Sequence, residues 1–514
     1  MGTLIEDLER PESYPPPRPA SVARLTTHGS WVFLTDTEAW KIKRPVDYGF
    51  MDFTTLDKRR HFCAEEVRLN RRLAADVYLG VEPVRRDGQG HSLARGGEVV
   101  DYAVRMRRLP DEASALAMAR AGLLGHAHLE TLARRLVRFY AEAAPAPEYG
   151  SPSTVRANIR QNFSQVEPFV GRYVDAATFR AVRAWQEGLL SSRAGIFEAR
   201  AAAGRIRDGH GDLRLEHVYF EGAEALIIDC IDFNPALRCC DAASDAAFLA
   251  MDLDHENRPD LAAFFLARFA QQSNDYDLYT VVDLYLGYRA WVRGKVACLV
   301  AADPSTPGPK VLRKAEEART HFALALAYTR PCFEPPWVLA IGGNIGSGKS
   351  TLADALARGI GFPVISSDAT RKHLAGVDPA EPGGDDLYTP EFSRRTFAEF
   401  FRRAHVVLDS GRGVILDATF RSSALRLRAR ELARRHGRPF LFIETRCDES
   451  TIRERLRRRA RGPSVSDAGE DLLERLGREF EPVSEIGPAE HAIVDTRRPV
   501  EELAQRIRAR VRGD

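Results

Sequence analysis

The chain's 514 residues suit about two to four domains, each large enough to bury its own core. With 44% hydrophobic residues, 28% charged and a formal net charge of +2, the composition is that of an ordinary soluble protein and excludes a chain-wide field for nucleic acid or anionic membrane. Seven cysteines without a C-x-x-C pair suit neither a zinc module nor a disulfide framework, and with no apolar run near ~18 residues and no signal core, the expected setting is the reducing cytoplasm, with no membrane partner.

Residues 1–20 are rich in proline and charge and read as a loose arm. Trp31 to Leu34 and Ala39 to Lys43 are β-like runs separated by Thr35-Asp-Thr-Glu38, a hairpin signal. A helix follows over about 55–74, on the apolar positions Phe62, Val67, Leu69 and Leu73. Val99 to Met106 is a further strand, and 111–205 is mostly helical. A second hairpin lies at Val218 to Phe220 and Leu226 to Ile228, with Glu221-Gly222 as its turn, and helical periodicity resumes from Ala242 to about Tyr328. Pro331-Cys-Phe-Glu-Pro-Pro336 cannot extend a helix and marks a linker. Beyond it, Trp337–Ile341, Pro363–Ser366, Val414–Leu416, Phe440–Ile443 and Ala492–Val494 alternate with helical segments. That alternation predicts a parallel sheet with helices on both faces. The expected domains are therefore 21–330, divided near 108, and 337–514.

Gly343-Asn344-Ile345-Gly346-Ser347-Gly348-Lys349-Ser350 fits G-x-x-x-x-G-K-[ST], with an apolar strand before it and a helix from Thr351 after it. The glycines let successive backbone N–H groups point at phosphate oxygens, and the helix N-terminus adds partial positive charge. Lys349 is expected on the β- and γ-phosphates of ATP, and the Ser350 hydroxyl on Mg²⁺. Asp417 ends a buried strand, where a carboxylate faces the ligand crevice and holds Mg²⁺ or orients the γ-phosphate. Asp368 is read as the base that takes a substrate hydroxyl proton, or as the cap of the next helix, and Arg371 as a holder of a substrate phosphate or polar group. The basic stretch Ile452 to Arg461, closed by Gly462-Pro463, reads as a lid, with Arg453 and Arg457 the named phosphate contacts.

GGNIGSGKST, SSDATRKHL and VILDATFRSSALR resemble the P-loop kinases of the nucleoside/nucleotide-kinase superfamily, the AAA-type group that includes gluconate kinase, polynucleotide 5′-kinase and zeta toxins. The D-x-x-R of Asp368 and Arg371 is similar to the substrate-activating pair of the polynucleotide kinase branch.

Upstream, His210-Gly-Asp212 is followed by the second hairpin and by Asp229-Cys-Ile-Asp232-Phe233. Kinase chemistry needs one Asp to orient the substrate hydroxyl and a carboxylate after the next strand to hold Mg²⁺. This stretch resembles the aminoglycoside phosphotransferase-like family over roughly residues 20–330. The resemblance implies a bilobal protein-kinase-like fold, with Asp212 catalytic, Arg214 near the γ-phosphate and Asp229 on the metal, Asp232 being its rival. It also implies Lys43 (or Lys41) paired with Glu66 (or Glu65), a hinge at Met106 to Leu109, and Asp241 and Asp245 as structural carboxylates. His217 stands where that family has Asn, and Thr26 to Ser30 lacks a G-x-G-x-x-G loop. The acidic group Asp252, Asp254 and Glu256 reads as a solvated helix end.

The whole chain resembles a bacterial fusion of an aminoglycoside phosphotransferase-like region with an ATP-binding domain. The expected fold class is thus α/β multidomain, a kinase-like (α+β) region followed by a P-loop parallel sheet. The expected function is ATP- and Mg²⁺-dependent phosphotransfer to a small hydroxylated molecule. Two alternatives stay open: a nucleic-acid 5′-hydroxyl kinase, and a P-loop ATPase regulated by a non-catalytic pseudokinase-like domain.

Overall fold

In β3 (Glu38–Lys43), Trp40 and Ile42 point to one face and Lys41 and Lys43 to the other, so one strand serves both a core and a site. It belongs to a computed structural model that describes residues 2–49, 51–304, 306–330, 336–378, 381, 383–459 and 480–512. The chain forms two compact units, 1–158 with 197–252, and 159–196 with 253–514. No helix among the described residues is long and apolar enough to cross a membrane.

The first unit is built on a six-stranded antiparallel sheet. Its strands are β1 (Ala23–Thr26), β2 (Ser30–Leu34), β3, β4 (Tyr78–Asp87), β5 (Gly90–Ser92) and β6 (Glu98–Arg107), in the order β1-β2-β3-β6-β4-β5. The helix Leu56–Asn70, capped by the Thr55 hydroxyl, packs Cys63 and Val67 against the sheet. Two small pairs follow: β7 (Ile206–Asp208) with β10 (Cys239–Asp241), and the hairpin β8 (Val218–Glu221) with β9 (Glu224–Ile227).

Residues 1–20 do not form the loose arm expected of them. Leu4–Leu8 is a helix with a Thr3–Glu6 capping box, and Leu8 and Tyr14 are buried with Trp40. The Tyr14 hydroxyl donates to the Leu8 carbonyl (2.7 Å), and its ring meets Trp40 edge to face at 5.8 Å. Two large apolar side chains in 20 residues outweigh the prolines that suggested disorder.

The second unit holds a five-stranded parallel sheet, β11 (Val338–Gly343), β12 (Val364–Ser366), β13 (Val414–Asp417), β14 (Phe440–Arg446) and β15 (His491–Asp495). The order is β12-β13-β11-β14-β15, with every pairing parallel. Chain direction across the sheet reverses at β11, the kind of switch point where a doubly wound sheet opens a crevice. Register sets Ile341 and Ser366 level with Asp417, and Gly343 level with Thr445.

The units do not divide at 331–336, of which 331–335 lie outside the described residues. Helices Pro259–Gln272 and Val282–Ala302 belong with the parallel sheet. The Tyr276 hydroxyl donates to the Val364 carbonyl (2.5 Å), Arg268 pairs with Asp354 (2.9 Å), and Arg412 with Asp283 (2.6 Å). Nor is the acidic group at 252–256 a solvated end. Asp252 accepts the Leu215 amide (2.9 Å), and Asp254 accepts the Tyr328 hydroxyl (2.5 Å).

Three outcomes test this packing. Leu8→Ala is expected to cost about 2–4 kcal/mol, read as a lowered urea midpoint, where a loose arm predicts none. A fragment 337–514 is expected to melt well below the full chain or to precipitate; equal melting temperatures would contradict the helical layer's role. Burial pushes the Asp254 carboxyl up to about 6, against Tyr328 and Arg412. A carboxyl raised in the folded state stabilises below its unfolded pKa and loses that contribution as pH rises through the folded value. Asp254→Asn keeps an acceptor for Tyr328, so its melting temperature should gain on the parent's from about pH 5 to about pH 7.

Candidate functional sites

The phosphate loop grows out of β11, buried along its whole length. Gly343 has φ +141°, and a Cβ there would lie 2.4 Å from Thr445 Oγ1 and 2.5 Å from the Thr445 carbonyl. Only glycine fits this close approach. The Gly343 amide donates to the Thr419 carbonyl (3.0 Å), and Ser347 Oγ meets Thr445 Oγ1 at 2.6 Å. Gly348, at φ +88°, turns the chain into the helix Lys349–Ile360. Loop and helix start together form the anion cradle that the motif implies.

Three chemistry-bearing side chains meet at this point. Lys349 Nζ donates to the Asn344 carbonyl (2.8 Å), folding back over the loop. Asp417 is 5% exposed and accepts a hydrogen bond from Ser350. Burial pushes the Asp417 carboxyl up to about 6; Lys349 and Ser350 work against this, and Asp368 and Asp354 add to it. Asp368 is therefore close enough for its charge to act on Asp417. The helix-cap alternative for Asp368 belongs instead to Ser366, whose hydroxyl accepts the Ala369 amide in front of the helix Ser367–Ala375. The donor set fits Mg²⁺: a hydroxyl and a buried carboxylate, both hard oxygens, side by side.

Arg371 takes a different place from the one expected. It is buried, donates to the Leu387 carbonyl (2.5 Å) and Ser393 Oγ (3.2 Å), and lies over the Tyr388 ring. Its guanidinium fixes the segment 387–393. The lid arginines shift as well. Arg453 pairs with Glu449 (2.7 Å), and Arg457 is exposed. A cavity of ≈ 360 Å³ beside the loop is lined instead by Arg455, Arg458, Thr351, Thr496 and Arg498. Arg455 donates to Thr496 Oγ1 (2.9 Å) and to the Thr496 carbonyl (2.7 Å). The cause is packing: Ile452 and Leu456 bury against Ile345 of the loop, which turns Arg455 and Arg458 toward the cavity. Thr496 and Arg498 follow β15, so the rule that ligands gather at carboxyl ends of parallel strands was the signal for them. Residues 460–479, the rest of the expected lid, lie outside the described residues.

In the first unit, Glu66 is 1% exposed and bridges two lysines. Its Oε1 is 2.8 Å from Lys41 Nζ and its Oε2 2.8 Å from Lys43 Nζ. Glu65 faces outward to Arg68 (2.7 Å). Lys43 also reaches Asp232, and Lys41 reaches Asp229 (2.6 Å). Burial acts to raise the Asp229 carboxyl, but Lys41 and His217 outweigh it and hold the group below the usual range. Burial raises the Asp232 carboxyl against the pull of Lys43. Asp229 has φ +63° and its amide donates to the Tyr78 hydroxyl (3.0 Å).

Around Asp212 the loop is held from behind. Asp245 accepts the His210 amide (2.9 Å), the Gly211 amide (3.1 Å) and the Tyr140 hydroxyl (2.8 Å). Asp241 holds the buried Arg200 in two hydrogen bonds (2.6 and 2.8 Å). His217 Nδ1 lies 2.9 Å from the Asp212 carbonyl, which only accepts, so Nδ1 carries the proton and donates. Its Nε2 then faces Asp229, 3.6 Å away. Arg214, expected near a γ-phosphate, pairs with Glu216.

A family model described as an AAA domain matches residues 338–483. The uncharacterized protein Rv2004c of Mycobacterium tuberculosis is 33% identical over 452 residues, covering 86% of this chain and 87% of its own, as is the uncharacterized protein Mb2027c of Mycobacterium bovis. Among solved structures, a gluconokinase from Sinorhizobium meliloti is 24% identical and covers 35% of this chain and 93% of its own, with a TM-score of 0.26. A choline/ethanolamine kinase family protein from Mesorhizobium loti is 12% identical and covers 60% of this chain and 92% of its own, with a TM-score of 0.35. The chain belongs to the family of the two mycobacterial proteins, and its residues 338–483 form an AAA domain.

Proposed function

We propose that the P-loop domain transfers the γ-phosphate of ATP to a hydroxyl of a small molecule. The observation that carries this reading is the group Lys349, Ser350 and Asp417 at the mouth of the phosphate loop, with Asp368 near enough to bias Asp417.

The chain's own groups divide the work. The loop amides and Lys349 hold the phosphates and stabilise charge on the transferring group. Ser350 and Asp417 would hold Mg²⁺, which would supply positive charge to offset that of the phosphates. Asp368 takes the proton of the acceptor hydroxyl as its oxygen bonds to the γ-phosphorus. The bond from that phosphorus to the β-γ bridging oxygen breaks, and ADP leaves with the electron pair. Arg455, Arg458 and Arg498 line the cavity in which the rest of the nucleotide would lie.

A nucleic-acid 5′ end is the weaker acceptor. The arginine of the D-x-x-R pair, which favoured it, is engaged with Leu387 and Ser393.

Lys349→Ala in the full chain is expected to lower magnesium-dependent ATP consumption by about 10²-fold or more. Asp368→Asn should abolish transfer to the acceptor while nucleotide affinity stays within a few-fold. The acceptor is found by a metabolite screen read by product mass. Turnover unchanged in Lys349→Ala would remove the proposal.

A further inference from the structure

We propose that the kinase-like unit binds the phosphates of a nucleotide without a divalent ion, the ammonium of Lys41 standing where a kinase places magnesium. The inference rests on the kinase-like reading of that site.

The donor set does not fit magnesium. That ion asks for about six oxygens in octahedral array. Here each acidic group beside the two lysines already has a cation. Glu66 gives one oxygen to each lysine, Asp229 holds Lys41, and Asp232 holds Lys43. The next side chain in reach of Asp229 is the His217 imidazole, 3.6 Å away, which brings a nitrogen and no hard oxygen. Among the described residues, no group of three or more His, Cys, Asp or Glu side chains is arranged to hold a metal ion.

Charge counting leads to the same place. Glu66, Asp229 and Asp232 carry three negative charges, and Lys43 alone would leave two, which one Mg²⁺ would balance. Lys41 removes one of these and takes the position between Glu66 and Asp229 that the balancing ion would need. Magnesium would have to displace an ammonium held by two carboxylates.

Both partners of this contact are fixed by backbone. Lys41 sits inside β3, paired with Val32 of β2 and Val104 of β6, and the two-residue period of a strand puts it on the same face as Lys43. On the other side, the Asp229 amide is tied to Tyr78, and the Cys230 amide to Asn70 Oδ1 (2.8 Å). The two lysines differ in access. The Lys43 side chain is 2% exposed, that of Lys41 16%, and that of Asp229 45%. Lys41 therefore keeps an open side toward the mouth of the site, where a phosphate oxygen can meet its ammonium.

The test uses the full chain with Lys349→Ala and Ser350→Ala, which silence the phosphate loop, and measures ADP and ATP binding by calorimetry. The expected result is equal affinity in EDTA and in excess magnesium. Adding Lys41→Met should weaken binding in EDTA by about tenfold or more, with magnesium restoring part of it. Lys41→Arg should retain metal-free binding, and shows that a loss in Lys41→Met is not a folding defect. Nucleotide bound only with magnesium would overturn the proposal and leave the kinase-like reading intact. No binding of either nucleotide under either condition would overturn both.

Discussion

The hydrogen bond from the Gly343 amide to the Thr419 carbonyl joins the start of the phosphate loop to the turn that follows Asp417. This turn is strained, since Phe420 is fully buried at φ +47°. What holds it is Arg426, itself fully buried, which donates to the Phe420 carbonyl (2.9 Å) and pairs with Glu485. A displaced turn would move both the loop and the carboxylate beside it. The separation of phosphate cradle and Asp417 is therefore set by a buried guanidinium that touches neither.

The two charge clusters in the chain are built on opposite plans. At the phosphate loop, Asp417 is buried with a serine hydroxyl and a lysine that also engages a loop carbonyl, and burial raises its carboxyl against the pull of both. In the first unit, two lysines lie among three carboxylates, Glu66, Asp229 and Asp232, and Glu66 sits below its ordinary range despite full burial. The first arrangement leaves a hydroxyl and a carboxylate, two hard oxygens, side by side. The second cluster holds two lysines paired directly with its carboxylates, the arrangement on which the proposed metal-free phosphate binding rests.

The phosphate loop was legible because its constraints are local. A glycine at φ +141° and a lysine at a helix start leave a fixed spacing in sequence, and strand ends can be counted from apolar runs. The five parallel strands were placed within a few residues for the same reason. Features decided by distant partners were not legible. Arg371 matched a short motif, but the carbonyl of Leu387 and the Tyr388 ring claim it. The choice among the lid arginines followed Ile345, more than a hundred positions away. Strand β4 was missed because Pro83 and two arginines at its end mask its alternation, while pairing with β6 stabilises it.

The helical layer of the second unit adds a constraint on the substrate side of the P-loop domain. Arg403 is buried and its Nη1 reaches both Asn274 Oδ1 (2.8 Å) and Thr370 Oγ1 (3.2 Å), while its guanidinium lies over the Tyr276 ring. Thr370 sits between Asp368 and Arg371 on one short helix. Tyr276 in turn holds the Val364 carbonyl in the strand leading to that helix. The proposed base is thus aimed from two directions by residues that precede the proline-rich linker. A buried hydrogen bond to a charged group is worth about 1.5–3 kcal/mol, and the one from Arg403 to Asn274 crosses this boundary. A base positioned in this way is not the property of residues 337–514 alone, because the helical layer that precedes the linker is part of the same compact unit.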